Sequence, residues 1–228
     1  MGRDTADLSR RQLLKGVGLA GAAAVAPPAA AAPQPAPPKP QREALEQLTA
    51  VEAETLEAVC ARLIPSDDGT PGASEARAAH YIDRALGGAL ASSRDAYRAG
   101  LSSLNAYAQS AKGGVFSSLK PVDQDAILKD VEAGKAADFA NSTAFFNLVR
   151  AHTIQGTFCD PYYGGNANFV GWDMVGYPGV RMGATPQQQA MNAHTPPNHQ
   201  SAYDYSMFAK VTPAGTTLAS AEHTHHDN

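Results

Sequence analysis

The amino-acid sequence predicts an all-α protein: a small bundle of about five helices followed by an irregular segment rich in glycine and aromatic residues. Apolar residues recur at helical spacing in five separate stretches, and glycine or proline punctuates the chain between them. No stretch shows sustained two-residue alternation bounded by hairpin turns, the pattern typical of a strand. The 228 residues leave room for one such domain once an atypical N-terminus is set aside.

The first two predicted helices are defined by their ends. Thr49 and Glu52 have the spacing of a capping box, and Pro65 ends the helix that begins there. A second helix is predicted from Ser74 to Leu86, with Gly87 and Gly88 as its stop. The apolar stripe of the first helix consists of Leu45, Leu48, Leu56, Val59, Cys60 and Leu63.

Three further helices follow. The third covers about Ser93 to Lys112, the fourth begins at Pro121, and the fifth runs from about Ser142 to Gly156. His152 lies on the apolar side of the fifth helix, where we expect a hydrogen-bonded core histidine rather than a metal ligand.

The segment 156–183 differs sharply in composition, because it holds seven glycines and six aromatic residues. Glycine permits positive φ angles and close backbone approach, while the rings bury large areas at little entropic cost. We therefore expect an ordered loop without regular helix, and a loop of that length is usually functional. Beyond about Ala184 the chain is rich in Gln, Pro, Ala and His, and only residues 203–208 look suited to docking on the domain.

The N-terminus has the pattern of an export signal. A charged region with paired arginines precedes an uncharged run of small residues from Gly16 to Ala26, which as a helix would rise only about 16 Å and cannot span a bilayer. An Ala-x-Ala end predicts cleavage after Ala31. The pattern resembles a twin-arginine signal; the alternative is a chance arginine pair in an ordinary secretory signal. The residues that carry the signal are Ser9, Arg10, Arg11, Leu13, Leu14 and Lys15.

These patterns predict four parts: a signal peptide at 1–31, a Pro/Ala-rich spacer at 32–43, a helical domain at 44–183, and an irregular, partly disordered tail at 184–228. The formal net charge is −4, and it becomes −6 without residues 1–32, which hold four basic and two acidic side chains. This balance argues against nucleic acid as a partner, because nucleic-acid binding needs clustered Lys and Arg.

The common catalytic and cofactor-binding motifs are absent from the sequence. The sequence contains no G-x-S-x-G, no dinucleotide or phosphate loop and no H-E-x-x-H. Asp160, Asn166 and Asp173 lack the regular spacing of a calcium loop. We therefore expect no catalytic, cofactor or metal residue in this chain. One alternative is an autonomous periplasmic binding or metal-handling protein, whose feature would be the terminal histidines His223, His225 and His226.

The two cysteines, Cys60 and Cys159, leave three arrangements open: an internal disulfide, a bridge from Cys159 to another subunit, and free thiols. An internal bridge would stabilise the fold by about 4–5 kcal/mol in the loop-entropy model. A chain that folds in the reducing cytoplasm before export cannot depend on that bond, however.

Two stretches resemble the gluconate 2-dehydrogenase subunit 3 family. The first comprises Leu63-Ile64-Pro65-Ser66-Asp67, Pro71 to Ala76 and Tyr81 to Leu86. The second begins in the fifth predicted helix with Phe145-Phe146-x-Leu148-Val149, Thr153, Gly156 and Phe158, and it continues as D-P-x-Y-G-G-N from Asp160 to Asn166. It extends into Gly171-Trp172 and Gly176-Tyr177-Pro178-Gly179. The resemblance covers roughly residues 50–182.

The resemblance implies a small subunit of a membrane-associated dehydrogenase in the periplasm. In such complexes the large subunit is a flavoprotein of the glucose–methanol–choline type that binds FAD, and a multihaem cytochrome c is a frequent third subunit. The large subunit typically lacks an export signal, so the small one supplies it to the twin-arginine (Tat) translocase. Cofactors are then expected in the partners and none here. The substrate, a sugar, sugar acid or polyol, is not specified by this chain.

On this interpretation the glycine/aromatic loop contacts the large subunit, with Trp172 and Tyr163 as the main anchors. The alternative is that the rings close the open end of the chain's own bundle. The predicted partner-binding residues are Phe158, Asp160, Pro161, Tyr163, Gly164, Gly165, Asn166, Gly171, Trp172, Tyr177, Pro178 and Gly179.

Overall fold

The computed structural model describes residues 45–208, and within that range it contains α-helices, short 3₁₀ turns and no strand. The all-α prediction is confirmed. The predicted signal peptide and spacer lie outside the described residues, as do the three terminal histidines. No helix within residues 45–208 combines the length and the apolar character that crossing a membrane requires. The six helices in this range are α1 Ala50–Leu63, α2 Ala78–Leu86, α3 Arg94–Lys112, α4 Pro121–Glu132, α5 Ser142–Phe158 and α6 Val170–Met174.

Local signals determine three of the helix ends. Thr49 and Glu52 form the predicted capping box at the start of α1, where the Thr49 amide donates to the Glu52 carboxylate at 2.8 Å. Gly113, with φ +78°, ends α3 in the left-handed conformation, and Pro121 is the first residue of α4. These three ends depend on neighbouring residues alone, and the sequence predicted each of them.

The predicted start of α2 at Ser74 was wrong, since the helix begins four residues later at Ala78. Residues 74–77 form a turn in which Arg77 has φ +58°. Glu75 stabilises this turn by accepting hydrogen bonds from the Gly72 amide at 2.8 Å and the Ser66 hydroxyl at 2.6 Å. These two bonds lower the pKa of Glu75. A carboxylate engaged with the preceding loop thus delays the helix.

The glycine/aromatic segment also contains more regular structure than predicted. Gly156 does not end the fifth helix, because α5 continues to Phe158. The expected absence of helix is likewise wrong at Val170–Met174, and 3₁₀ turns occupy Pro161–Tyr163 and Ala167–Phe169. The segment therefore consists of short turns held together by side-chain hydrogen bonds, whereas its composition predicted a single irregular loop.

The core lies between α1, α2, α3, α4 and α5, and two glycines allow α5 to cross its neighbours closely. A Cβ on Gly100 of α3 would lie 2.1 Å from the Phe145 ring, and one on Gly156 would lie 2.9 Å from both the Ala78 carbonyl oxygen and the Tyr81 ring. The largest side chains with at most 1% exposure are Leu56, Ile82, Leu86, Tyr97, Leu101, Leu104, Phe116, Ile127, Val131 and Val149.

One polar pair is built into this core. The Tyr97 hydroxyl lies 2.9 Å from Nδ1 of His152, and the two rings stack with centroids 5.8 Å apart. Both side chains are buried, and burial lowers the pKa of His152. The prediction of a hydrogen-bonded core histidine at this position is confirmed.

Candidate functional site

The D-P-x-Y-G-G-N run begins with an aspartate that joins two distant parts of the chain. Asp160 caps the 3₁₀ turn after α5, where Oδ1 accepts a hydrogen bond from the Tyr162 amide at 3.0 Å. Oδ1 also accepts the Ser201 hydroxyl at 2.6 Å, and Oδ2 accepts the Ala202 amide at 2.8 Å. The carboxylate therefore anchors the chain around residue 201 onto the end of α5.

Asn166 ends the run as a fully buried staple in the left-handed conformation, with φ +45°. Its side-chain amide donates to the Cys159 carbonyl at 2.8 Å, and its side-chain oxygen accepts the Gly171 amide at 2.7 Å. Its backbone amide donates to the Gly156 carbonyl at 2.8 Å. Since buried polar groups must be satisfied, these bonds define the path of the segment from α5 to α6.

At two positions of the motif the backbone passes so close to the last turns of α5 that only glycine fits. A Cβ on Gly165 would lie 2.1 Å from the Gly156 carbonyl oxygen, and one on Gly171 would lie 1.9 Å from the Thr157 carbonyl oxygen. Neither position has space for a side chain, because the neighbouring atoms belong to helical backbone. Gly164 and Gly179 serve a different purpose, since their φ angles of +93° and +84° lie in the region that favours glycine. These four residues shape the loop.

Trp172 is buried against its own chain, with 7% exposure. Its indole nitrogen donates to the Phe158 carbonyl at 3.0 Å, and its ring packs against Phe169 and Tyr177 at centroid distances of 5.4 and 4.8 Å. This geometry favours the alternative role for Trp172, in which the ring closes the end of the bundle. Tyr177, at 40% exposure, covers one edge of the indole.

Two exposed tyrosines and one half-buried tyrosine lie together beside the hydrogen bonds of Asp160, and we call them the tyrosine cluster: Tyr162, Tyr163 and Tyr203. Tyr162 stacks on Tyr203 at 3.8 Å, and the hydroxyls of Tyr163 and Tyr203 lie 2.7 Å apart. The hydrogen bond to Tyr203 raises the pKa of Tyr163 to about 12, so this hydroxyl is protonated at neutral pH. Tyr203 belongs to the segment 203–208, which was expected to dock on the domain, and Tyr203 does pack against it here. Of the two predicted anchors, Tyr163 is therefore the one at the surface.

A groove of about 640 Å³ lies between α2 and α5, next to the tyrosine cluster. We call it the α2–α5 groove. Ile154 and Tyr163, both roughly half exposed, present apolar surface along it. Ile154 lies opposite the apolar side of α5 and belongs to no motif, so the sequence does not mark it as a site residue. The groove is lined by Tyr81, Arg84, Ala85, Ala89, Ile154, Gln155, Phe158, Cys159, Asp160 and Tyr163.

Both cysteines are free thiols, so they are not bridged to each other in this structure. Cys60 is buried in the α1 stripe, 3.3 Å from the Thr153 hydroxyl, and burial raises its pKa to about 12. Cys159 lies half-buried in the groove wall, and burial raises its pKa to about 11. Because a thiolate is the reactive form, both sulfurs are weak nucleophiles at neutral pH.

The oxygens that could be drawn as calcium ligands are engaged within the protein. Asp160 and Asn166 make the bonds given above, and the Asp173 carboxylate pairs with His199 at 2.8 Å. Within residues 45–208, no three His, Cys, Asp or Glu side chains are placed to share a metal ion.

The fold and the site define a small helical domain: a bundle whose end is closed by a loop held in place by side-chain hydrogen bonds, with a groove and tyrosines on its surface. The family model described as gluconate 2-dehydrogenase subunit 3 matches residues 50–179, and the chain belongs to that family. The family assigns the chain the place of a small subunit in a multi-subunit dehydrogenase complex. Comparison with curated proteins and with solved structures finds no match.

The matched range runs from α1 to Gly179 and therefore includes all six helices, the Asn166 staple and Trp172. It stops before the segment around residue 201 that Asp160 anchors. The tyrosine cluster thus combines two residues of the family domain with one residue from outside the matched range.

Proposed function

We propose that this chain is the non-catalytic small subunit of a periplasmic, membrane-associated, FAD-dependent dehydrogenase of sugars, sugar acids or polyols. It supplies the twin-arginine signal to the Tat translocase and stabilises the flavoprotein large subunit, which is of the glucose–methanol–choline type. FAD belongs to that partner, and haem c to a cytochrome subunit where one is present. The observation that carries the proposal is the arginine pair at Arg10 and Arg11, in front of a domain that belongs to a dehydrogenase small-subunit family.

The chemistry of the domain supports export in a folded state. Its core is complete with Cys60 as a thiol, and Asp160 and Asn166 close the loop through hydrogen bonds. A fold of this kind forms in a reducing compartment, where the large subunit would also take up its flavin. A folded complex would then leave by a route that carries folded proteins, with one signal serving both chains.

The test measures where the partner flavoprotein is located in the cell. Arg10 and Arg11 are both replaced by lysine in a chain co-expressed with the flavoprotein, and the flavoprotein is measured in the periplasm and in the cytoplasm. We expect it to remain in the cytoplasm, because a receptor reads the arginine pair. The matched control is Arg3→Lys, which makes the same change outside the motif. Export of the flavoprotein that proceeds unchanged in the double variant would contradict the proposal.

A second measurement concerns catalysis. The purified chain alone is expected to hold no stoichiometric flavin or haem and to turn over no sugar substrate. Stoichiometric cofactor or turnover in the isolated chain would contradict a non-catalytic role.

A further inference from the structure

The α2–α5 groove is a surface that the chain itself leaves open among its described residues. Because Gly156 carries no side chain, α5 packs closely against α2, and the two walls of the groove stand on these two helices. Ile154 projects from α5 with 48% of its surface exposed, and Tyr163 at the rim is 45% exposed. Phe158 adds a second ring to the lining. A concave, mostly apolar surface with a few polar groups is typical of a binding site.

The groove lining contains one guanidinium, that of Arg84, and one carboxylate, that of Asp160, and the two differ in how far their hydrogen-bonding capacity is used. Arg84 on α2 makes a long hydrogen bond, 3.4 Å, to the Tyr162 carbonyl and forms no ion pair within residues 45–208. Asp160, the carboxylate in the lining, is already filled by donors from Tyr162, Ser201 and Ala202. The groove therefore offers apolar surface and one guanidinium, which complement an apolar side chain flanked by a carboxylate.

The rim favours a polypeptide as the occupant. Tyr163 belongs both to the groove lining and to the tyrosine cluster, so the two surfaces are continuous. Tyr203 is held by stacking on Tyr162, and Tyr163 is held by the hydroxyl pair with Tyr203 at 2.7 Å. Preordered tyrosines lose little entropy on binding, and they are enriched where proteins meet. An occupant that contacts both surfaces must extend beyond the groove itself.

We propose that the α2–α5 groove and the tyrosine cluster together form the docking surface for the flavoprotein large subunit. A segment of that subunit inserts an apolar side chain between Ile154 and Phe158 and places a carboxylate on Arg84. The proposal rests on the proposed function, because it names the surface through which that complex is held. It moves the main contact from Trp172, which is buried, to the exposed side of α5.

The first experiment changes one apolar side chain. The tagged full-length chain is co-expressed with its flavoprotein, and the large subunit retained per chain is measured by flavin fluorescence and identified by mass spectrometry. Ile154→Asp is expected to lower retention at least about tenfold, the loss typical of a central contact. The control Val122→Asp makes the same kind of change on α4 at 71% exposure, outside the groove, and should leave retention unchanged. Circular dichroism confirms that each variant is folded.

The second experiment reverses one charge. Arg84→Glu is expected to lower retention about tenfold, while Arg84→Lys keeps the positive charge and should restore part of it. The control is Arg98→Glu on α3, another exposed arginine with a long hydrogen bond to a carbonyl, at 3.5 Å, outside the groove.

The outcomes separate the two proposals. If the unchanged chain retains no flavoprotein, the proposed function fails. If the unchanged chain retains it and Ile154→Asp retains as much, this inference fails while the proposed function stands. A chain that is dimeric alone and becomes monomeric in Ile154→Asp, with flavoprotein binding intact, would show a second copy in the groove. A small molecule that co-purifies with the unchanged chain and is lost in Ile154→Asp, again with flavoprotein binding intact, would overturn the inference as well.

Discussion

Asp83 provides the sharpest test of how the fold is held together. This residue of α2 is 2% exposed, and its carboxylate accepts hydrogen bonds from three successive backbone amides just before α1. Oδ2 accepts the amide of Glu46 at 2.7 Å, and Oδ1 accepts those of Gln47 and Leu48, each at 3.0 Å. The side chain thereby determines where the N-terminal part of the chain joins the bundle.

The magnitude follows from the exposure of the three donors. In Asp83→Ala the buried amide of Leu48 loses its acceptor, which costs about 1–3 kcal/mol. The amides of Glu46 and Gln47 are partly solvated and exchange the carboxylate for water, at about 1 kcal/mol each. The expected loss in the free energy of unfolding is therefore about 3–5 kcal/mol. That is a large share of the roughly 5–15 kcal/mol typical of a domain.

Urea denaturation of the full-length chain, followed by circular dichroism, measures this loss. Asp83→Asn keeps one acceptor oxygen for Gln47 and Leu48, so it should lose only about 1–2 kcal/mol. The exposed loop residue Asp68 supplies the matched control, and Asp68→Ala should change stability by less than about 0.5 kcal/mol. A loss below about 1 kcal/mol in Asp83→Ala, with the slope against urea unchanged, would refute the reasoning.

Two further predictions concern the loop and the core. Gly171→Ala should destabilise the chain by about 3 kcal/mol or more in urea denaturation, because the new Cβ would lie 1.9 Å from the Thr157 carbonyl oxygen. Gly88→Ala, whose Cβ meets open space, is the control, and equal losses in both would contradict the steric argument. Stability should also fall as the pH drops below 6.5, since burial lowers the pKa of His152 and the unfolded chain then binds the proton more readily. The loss should level off below the folded pKa. His152→Asn keeps an acceptor for Tyr97 and should remove this pH-dependent loss of stability. If stability varies with pH equally in that variant, the loss does not come from His152.

The elements that the sequence predicted are those whose signals are local. The capping box at Thr49, the glycine after α3 and the proline that opens α4 act on backbone groups within one turn. The start of α2 was mispredicted because Glu75 bonds to Ser66, in the loop before it. Gly156 was taken for a helix stop, although its missing side chain serves the crossing of α5 over α2. In both cases a residue outside the helix's own turn determined where the helix begins or ends.

In the candidate site, too, local motifs were predictable from the sequence and long-range contacts were not. The run from Asp160 to Asn166 was recognised in the sequence, but the partners of its polar ends were not. Asp160 meets Ser201 and Ala202, and Asn166 meets Gly171. Ile154 carried no signal of its own, because an exposed apolar residue is significant only when the opposing wall of the groove is known.

The sequence by itself therefore determined the helical class, the family and the position of the glycine/aromatic segment, since these depend on periodicity, local motifs and composition. Only the tertiary structure decided which rings face inward and which outward, burying Trp172 and leaving Tyr163 and Ile154 exposed. The reason is physical: a side chain's exposure depends on which distant segments pack around it. In this chain those segments are brought together by Asp83, Asp160 and Asn166, whose bonding partners no local pattern specifies.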